Sequence, residues 1–295
     1  MLGLELLEHT AIAVAVGDDG LVHARAEAAA SPELATAALD ALDRVAAAGG
    51  GGGLGVSSAA PESAATAAVL AALAPRYAGA FVSDGATASG PAAALAEAWI
   101  GAAQNTRDVV FFGLAEHTIA GIVRDAAVVT GAHRRAPAVA WLALNPVERE
   151  DYRRTGCLEA EVGAAGMVRR LIWRIKAGDR SRVQDMVDGD LSKITVDHLL
   201  LGARQNDGVS FSVVRDTVKY LGMAAANLVV VADPDVLVVG GLMASAADLF
   251  LEPLRTEITR RLPGPMMDAL TIVPAVLGAD AAAIGAARLA AAALR

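Results

Sequence analysis

The chain has 295 residues, 55% of them hydrophobic, which is enough apolar material for two globular cores, while its apolar runs are too short and too interrupted to span a bilayer. Its formal net charge of −8 is the wrong sign for gripping nucleic acid by bulk electrostatics. The single cysteine, Cys157, excludes an internal disulfide and fits a reducing cytoplasm, and no basic-then-apolar leader precedes the first strand.

The chain opens as strand, turn, strand. Residues 2–7 and 11–16 are apolar and flank Glu8-His9-Thr10, and Gly17-Asp18-Asp19-Gly20 turns into a third apolar run at 21–26. A helix is predicted over 31–48, opened by a Ser-Pro-Glu capping phrase, with Leu34, Ala38, Leu39, Leu42 and Val45 at helical spacing. The five glycines at 49–53 have no Lys-Ser or Lys-Thr after them, so they read as a flexible connector rather than a phosphate loop. Next come a short strand at 54–58, a helix at 62–74, a strand at 80–83 ending on Asp84, a loop of small residues at 85–91, and a helix at 92–103 with Leu95, Trp99 and Ile100 on one side.

Residues 109–125 organise the rest. An apolar strand runs into Glu116-His117-Thr118 and out through a second apolar strand, followed by a turn and a third run at 126–130. The same tripeptide thus joins two apolar runs twice, in the same strand frame, which predicts a duplicated unit: two similar lobes facing one cleft, with the corners opposed across it. Residues 133–154 are irregular and proline-punctuated, a surface excursion whose Arg134, Arg135, Arg149, Arg153 and Arg154 read as a solvated loop rather than an anion site. Helices follow at 158–177, 179–188, 195–204 and 210–227. After them come a strand–turn–strand signal at 228–241, an amphipathic helix at 247–261, a strand at 270–273 and an alanine-rich helix at 280–294.

The order of these elements, with Ala-Ala-Ala-Leu-Ala-Glu-Ala-Trp at 92–99, Thr-Gly-Cys-Leu-Glu at 155–159, Asp-Pro-Asp-Val-Leu-Val-Val-Gly-Gly at 233–241 and Leu-Gly-Ala-Asp-Ala-Ala-Ala-Ile-Gly-Ala-Ala at 277–287, resembles the ROK family of bacterial sugar kinases and sugar-responsive repressors. The resemblance implies an α/β, two-lobed actin/hexokinase-like (ribonuclease H-like) fold with a central cleft. It also implies a first lobe over 1–104, a second over 105–280, and a final helix at 281–295 returning to the first. A homodimer formed through the second lobe is expected on the same ground.

The departures from the family pattern matter more. Where active relatives carry Asp-x-Gly-Gly-Thr-Lys, whose glycines let backbone amides approach a phosphate, this chain has Glu5-Leu6-Leu7-Glu8-His9-Thr10. Where they carry Gly-Thr-Gly-x-Gly, it has Ala115-Glu116-His117-Thr118-Ile119. Counting back from Glu97 without a gap puts Ser89 at the catalytic aspartate, the general base of the kinases, and Pro91 at the family's asparagine. A short insertion would put Asp84 there instead. The family's zinc ligands are replaced apart from Cys157, so that zinc is expected to be absent. Glu159, near the sugar pocket in relatives, and Gly240-Gly241, near the adenosine site, remain. Any vestigial nucleotide site would rest on Thr10, Thr118, Gly240 and Gly241.

Two Glu-His pairs, Glu8-His9 and Glu116-His117, have the ligand types for a divalent metal, and solvated polar turns are the plainer reading of them. His23, His133 and His198 have no ligand-like neighbours at useful spacing. The first reading is a ROK-like protein that has lost kinase chemistry and acts as a cytoplasmic ligand-binding or regulatory protein, its ligand a small molecule of the sugar class met by Glu8, His9, Glu116, His117 and Glu159. An ATP-dependent sugar kinase with a rebuilt site, using Mg-ATP and Asp84, is the alternative. A sugar-responsive repressor is a third; repressors of the family carry a helix-turn-helix domain ahead of the first hairpin, whereas here Met1 leads straight into the strand, so no nucleic-acid binding by this chain itself is expected.

Overall fold

The computed structural model describes residues 1–31, 33–48, 53–77 and 85–293. Two five-stranded sheets dominate it. The first is built from β1 (Leu2–Leu6), β2 (Thr10–Val16), β3 (Val22–Ala29), β4 (Leu54–Ser58) and β5 (Thr87–Ala88). The second is built from β6 (Val109–Leu114), β7 (Thr118–Arg124), β8 (Ala127–Val128), β9 (Val236–Gly241) and β10 (Thr271–Pro274). The strands lie in the order β3-β2-β1-β4-β5 in one and β8-β7-β6-β9-β10 in the other. In each, the first three strands form an antiparallel meander and the other two run parallel to the first. The repeat read from the two Glu-His-Thr corners is therefore also a repeat of sheet topology.

The strands β1, β4 and β6 are buried along their whole length, which is why they read as largely apolar runs: helices cover both faces. The helices of the first half are α1 (Leu34–Ala46), α2 (Ala64–Tyr77) and α3 (Ser89–Ile100). The second half adds α4 (Glu150–Thr155), α5 (Cys157–Val162), α6 (Ala164–Lys176), α7 (Val183–Met186), α8 (Val196–Arg204), α9 (Gly208–Ala232), α10 (Leu242–Ser245), α11 (Ala247–Thr259), α12 (Gly264–Ala269) and α13 (Ala281–Ala293). One core packs α1 and α2 against the first sheet around Leu4, Leu6, Leu42, Leu54 and Leu73, and a larger one packs α5, α6, α8, α9 and α11 against the second around Phe112, Leu158, Leu199 and Phe250. No helix among the described residues is long and apolar enough to cross a membrane.

Between the sheets lie α3 and α13. α13 packs on β1, β4 and α3, and α3 packs on β6 and β7. These approaches are backbone on backbone. A Cβ at Gly3 or Gly55 would fall on the carbonyl oxygen of Ala283 or Ala286, one at Gly90 on that of Ala120, and one at Gly285 on that of Ala92. Glycine is required at these points for space.

Several predicted boundaries move. α1 starts at Leu34 with Glu33 at the cap position and no side-chain cap. α3 starts at Ser89, three residues earlier than predicted, because a proline in the first turn removes an N–H that has no intrahelical partner there. The predicted strand at 228–232 is the end of the 25-residue α9: Leu228, Val229 and Ala232 face the core while Val231 is 80% exposed, a helical alternation that overrides β-propensity. Asp233, at φ 46°, closes the helix in the left-handed region. Gly163 divides the predicted helix at 158–177 into α5 and α6, and only Val183–Met186 of 179–188 is α-helical. The strand at 80–83, Asp84, and glycines 49–52 lie outside the described residues.

The close approach of α13 predicts that Gly55→Ala lowers unfolding free energy by about 2–4 kcal/mol, because either the helix or the strand must shift. Gly264→Ala, where nothing lies near the added carbon, should change it by less than about 1 kcal/mol; urea denaturation of both variants checks the contrast.

Candidate ligand cleft

The two corners meet. In the first, the Leu7 amide donates to the Thr10 carbonyl at 2.9 Å and leaves Glu8-His9 as a two-residue loop; in the second, the Ala115 amide donates to the His117 carbonyl at 3.0 Å. The Glu8 amide then donates to Glu116 Oε2 at 2.9 Å, joining the hairpins of the two sheets. His9 is solvated, 3.7 Å from its neighbour Glu8. Thr10 opens β2 opposite Ala29.

The structure brings His117, Thr118 and Glu159 together. Glu159, from α5, accepts from both the backbone amide and the hydroxyl of Thr118 at 2.6 Å, and its other oxygen lies 3.4 Å from His117 Nδ1. Burial acts to raise the Glu159 carboxyl, but the hydrogen bonds from His117 and Thr118 outweigh it and hold the group below the usual carboxylate range. The same contact with Glu159 raises His117 above the ordinary imidazole value, against its own partial burial. Among the described residues no group of three or more His, Cys, Asp or Glu side chains is placed to hold a metal ion, so Glu8, His9, Glu116 and His117 are not gathered as a ligand set.

Behind the corners sits a residue that sequence reading did not single out as a site residue. Glu5, in the middle of β1, is 2% exposed. Its Oε1 accepts from the Ser89 hydroxyl at 2.5 Å, and its Oε2 is buried without a hydrogen-bond partner. The Ser57 hydroxyl, next to it on β4, gives its proton to the Leu4 carbonyl at 3.2 Å. Burial pushes the Glu5 carboxyl up to about 7; the hydrogen bond from Ser89 pulls it partly back, and the Glu116 charge adds to the rise. The signal for it was available: one carboxylate inside an otherwise apolar strand.

Ser89 opens α3 and lines a cavity of about 670 Å³ together with Gly90 and Thr118. The far wall is the segment predicted to be a surface excursion. His133, Arg134, Arg135 and Trp141 line the cavity, and Val139 in a short 3₁₀ turn is buried beneath. The reason is packing: Val139 joins the core under β7 and α5, which draws the loop over the cleft. Arg135 pairs with Glu62 from the turn before α2, at 2.8 and 3.2 Å, across the mouth. Gly240 packs under the Phe111 ring and Gly241, at φ 61°, lies over the Leu114 carbonyl; neither lines this cavity. His23 is exposed and His198 caps α8 with Thr195. Cys157 is buried with Tyr152 and Ala160. Beside it the Tyr152 hydroxyl, pushed up to about 12 by burial and by its bond to the buried Glu161, closes a polar cluster that also holds Arg149.

The sequence pattern of the ROK family matches residues 87–293, from β5 to α13. The chain belongs to the ROK family. Among ROK relatives, a glucokinase of Halalkalibacterium halodurans is 28% identical over 196 residues, which make up 65% of this chain and 59% of that one. The chain thus spans less than two thirds of the length of the curated relatives it matches first. A ROK glucokinase from Streptomyces griseus, solved in complex with glucose and AMPPNP, superposes with a TM-score of 0.80 at 22% identity over 98% of each chain. A ROK transcriptional regulator, a homologue of the Escherichia coli MLC protein, superposes at 0.82 and 18% identity over 100% of this chain and 78% of its own. At such identities the likeness establishes the two-lobed actin/hexokinase-like α/β fold, and since a kinase and a regulator both have it, the fold does not separate the two activities.

A carboxyl whose folded pKa is raised contributes full stability below its ordinary value near 4.5, and that contribution is lost as pH rises through about 7. Glu5→Gln keeps an acceptor for Ser89 and removes the titration. The variant should match the wild type near pH 4.5 and exceed it at pH 8 by about 3 kcal/mol at most; a difference that does not change with pH would show that Glu5 titrates normally.

Proposed function

We propose that this ROK protein binds a small ligand of the sugar class in the cavity beneath Ser89, Thr118 and the 133–141 segment, and acts as a binding or regulatory protein without transferring a phosphoryl group. The reading rests on one observation above the others: the Glu8 amide, at a position where the family pattern has a phosphate-cradling glycine, donates to the Glu116 carboxylate of the opposite corner. Phosphoryl transfer relies on amide donors and cations around the phosphates. Here one such amide is occupied by an acid, and Glu5 stands behind it. A phosphate charge about 4 Å from a carboxylate is opposed by about 4 kcal/mol at an effective dielectric near 20. By the ungapped count Ser89 takes the catalytic position, and a serine hydroxyl that donates to Glu5 is not a base.

That the ligand is a sugar is supported by the glucokinases among the relatives, one of them solved with glucose bound. A homodimer, as the family resemblance implies, belongs to the same reading.

A thermal-shift series tests it. Glucose or N-acetylglucosamine should raise the melting temperature, since a ligand that binds only the folded state stabilises it, and Mg-ATP should not. A coupled assay for ADP release should give no turnover above a no-enzyme control. ATP-dependent turnover abolished by Asp84→Ala would replace this reading with the kinase alternative.

A further inference from the structure

The polar lining of the cavity includes the hydroxyls of Ser89 and Thr118. Each gives its proton to a carboxylate, Ser89 to Glu5 at 2.5 Å and Thr118 to Glu159 at 2.6 Å. A hydroxyl has one proton and two lone pairs, so both oxygens are left as acceptors and suit ligand groups that donate, such as hydroxyls.

The rest of the polar lining is mixed, and one member of it, Arg134, can only donate. The ionisable residues of the lining are Glu62, His133, Arg134 and Arg135. Glu62 and Arg135 neutralise each other in a two-pronged ion pair. Among the described residues no carboxylate pairs with the Arg134 guanidinium. It also lies between the main cavity and a second one of about 330 Å³ behind it, lining both. Its backbone sits at φ 57°, in the left-handed region, tied back by its amide to the Gly131 carbonyl at 3.2 Å. A protein of net charge −8 therefore presents, in the wall of this cavity, an arginine that no acid among the described residues pairs with. Guanidinium is the side chain best shaped for two-point contact with a carboxylate or a phosphate.

We propose that the ligand of this cavity is a polyhydroxylated acid, a sugar derivative carrying a carboxylate or phosphate, whose hydroxyls donate to the Ser89 and Thr118 oxygens and whose anionic group is held by Arg134. The inference rests on the cavity being a sugar-class site. It assigns to Arg134 the choice of an acidic over a neutral ligand.

Isothermal titration of the full chain with glucose, glucuronate, glucose 6-phosphate and inorganic phosphate tests it. One of the two acidic sugars should bind at least about 10-fold more tightly than glucose, and which one does so distinguishes carboxylate from phosphate. In Arg134→Gln that affinity should fall about 10- to 100-fold, the scale for losing a charge-assisted hydrogen-bonded contact, and glucose affinity should fall by a smaller factor. Arg134→Lys should recover part of it. Arg134 is an exposed loop residue, and an unaltered melting temperature of the free variants confirms that they are folded. Glucose binding as tightly as both acidic sugars, or Arg134→Gln leaving the acidic sugar's affinity unchanged, overturns the proposal and leaves the sugar site standing. Inorganic phosphate binding as tightly as glucose 6-phosphate overturns the polyhydroxylated part. No heat from any of the three sugars overturns this inference and the sugar-site reading together.

Discussion

Everything in this molecule hangs on the seating of two helices directly on backbone. α13 lies on β1 and β4 where Gly3 and Gly55 have no side chain, and its own Gly285 lies on the start of α3, whose Gly90 in turn lies on β7 opposite Gly121. The chain's last helix and the helix entering the second lobe are thereby fixed against both sheets at distances that no side chain permits. Interiors packed this closely transmit displacement rather than absorb it, so the position of Ser89 at the start of α3 is set from both sheets at once. Glu97 reinforces the far end of α3: fully buried, it accepts from the amides of Ala102, Val276 and Leu277 and ties the helix to the segment leading into α13.

The same frame governs the chemistry of the cleft. Hairpin corners that would be expected to offer amides to an anion are furnished with carboxylates, and one of those carboxylates takes up the amide of the other corner. The acids are not equivalent. Glu159 is held by three donors from His117 and Thr118 and stays ionised, whereas Glu5 has one hydroxyl donor and an unpartnered oxygen in a dry setting and therefore rises toward neutrality. Each of these two also takes the proton of a cavity-lining hydroxyl, so the acids act on the cavity through serine and threonine rather than by facing it. The cavity wall also holds Arg134 beside the neutralised Arg135–Glu62 pair.

Kinases and regulators share this scaffold because it only positions two lobes around a cleft; what happens in the cleft depends on a few corner and loop residues. On the proposed reading those residues include Glu5, Glu8, Ser89, Glu116, Thr118, Arg134 and Glu159. On the reading proposed above, corners furnished with acids suit recognition of a ligand rather than transfer between two.

The sequence by itself determined most strands of the two sheets, because strands buried on both faces leave largely apolar runs, though the short β5 reads as loop, and it determined the repeat, because the same tripeptide recurs in the same strand frame. The pairing of the corners across the cleft also followed from that repeat. Three things were decided only by tertiary structure. The end of α9 is a run of valines that local preference assigns to a strand and that packing on the second sheet keeps helical. The 133–141 segment looks like a solvated arginine loop until Val139 is buried under β7, which turns the loop over the cavity and makes Arg134 part of its wall. Glu5 and Ser89 are 84 residues apart in the chain, and nothing local announces that they meet; their contact, and the raised pKa that burial imposes on Glu5, exist only because α3 is pressed between two sheets by glycines that let the backbones touch.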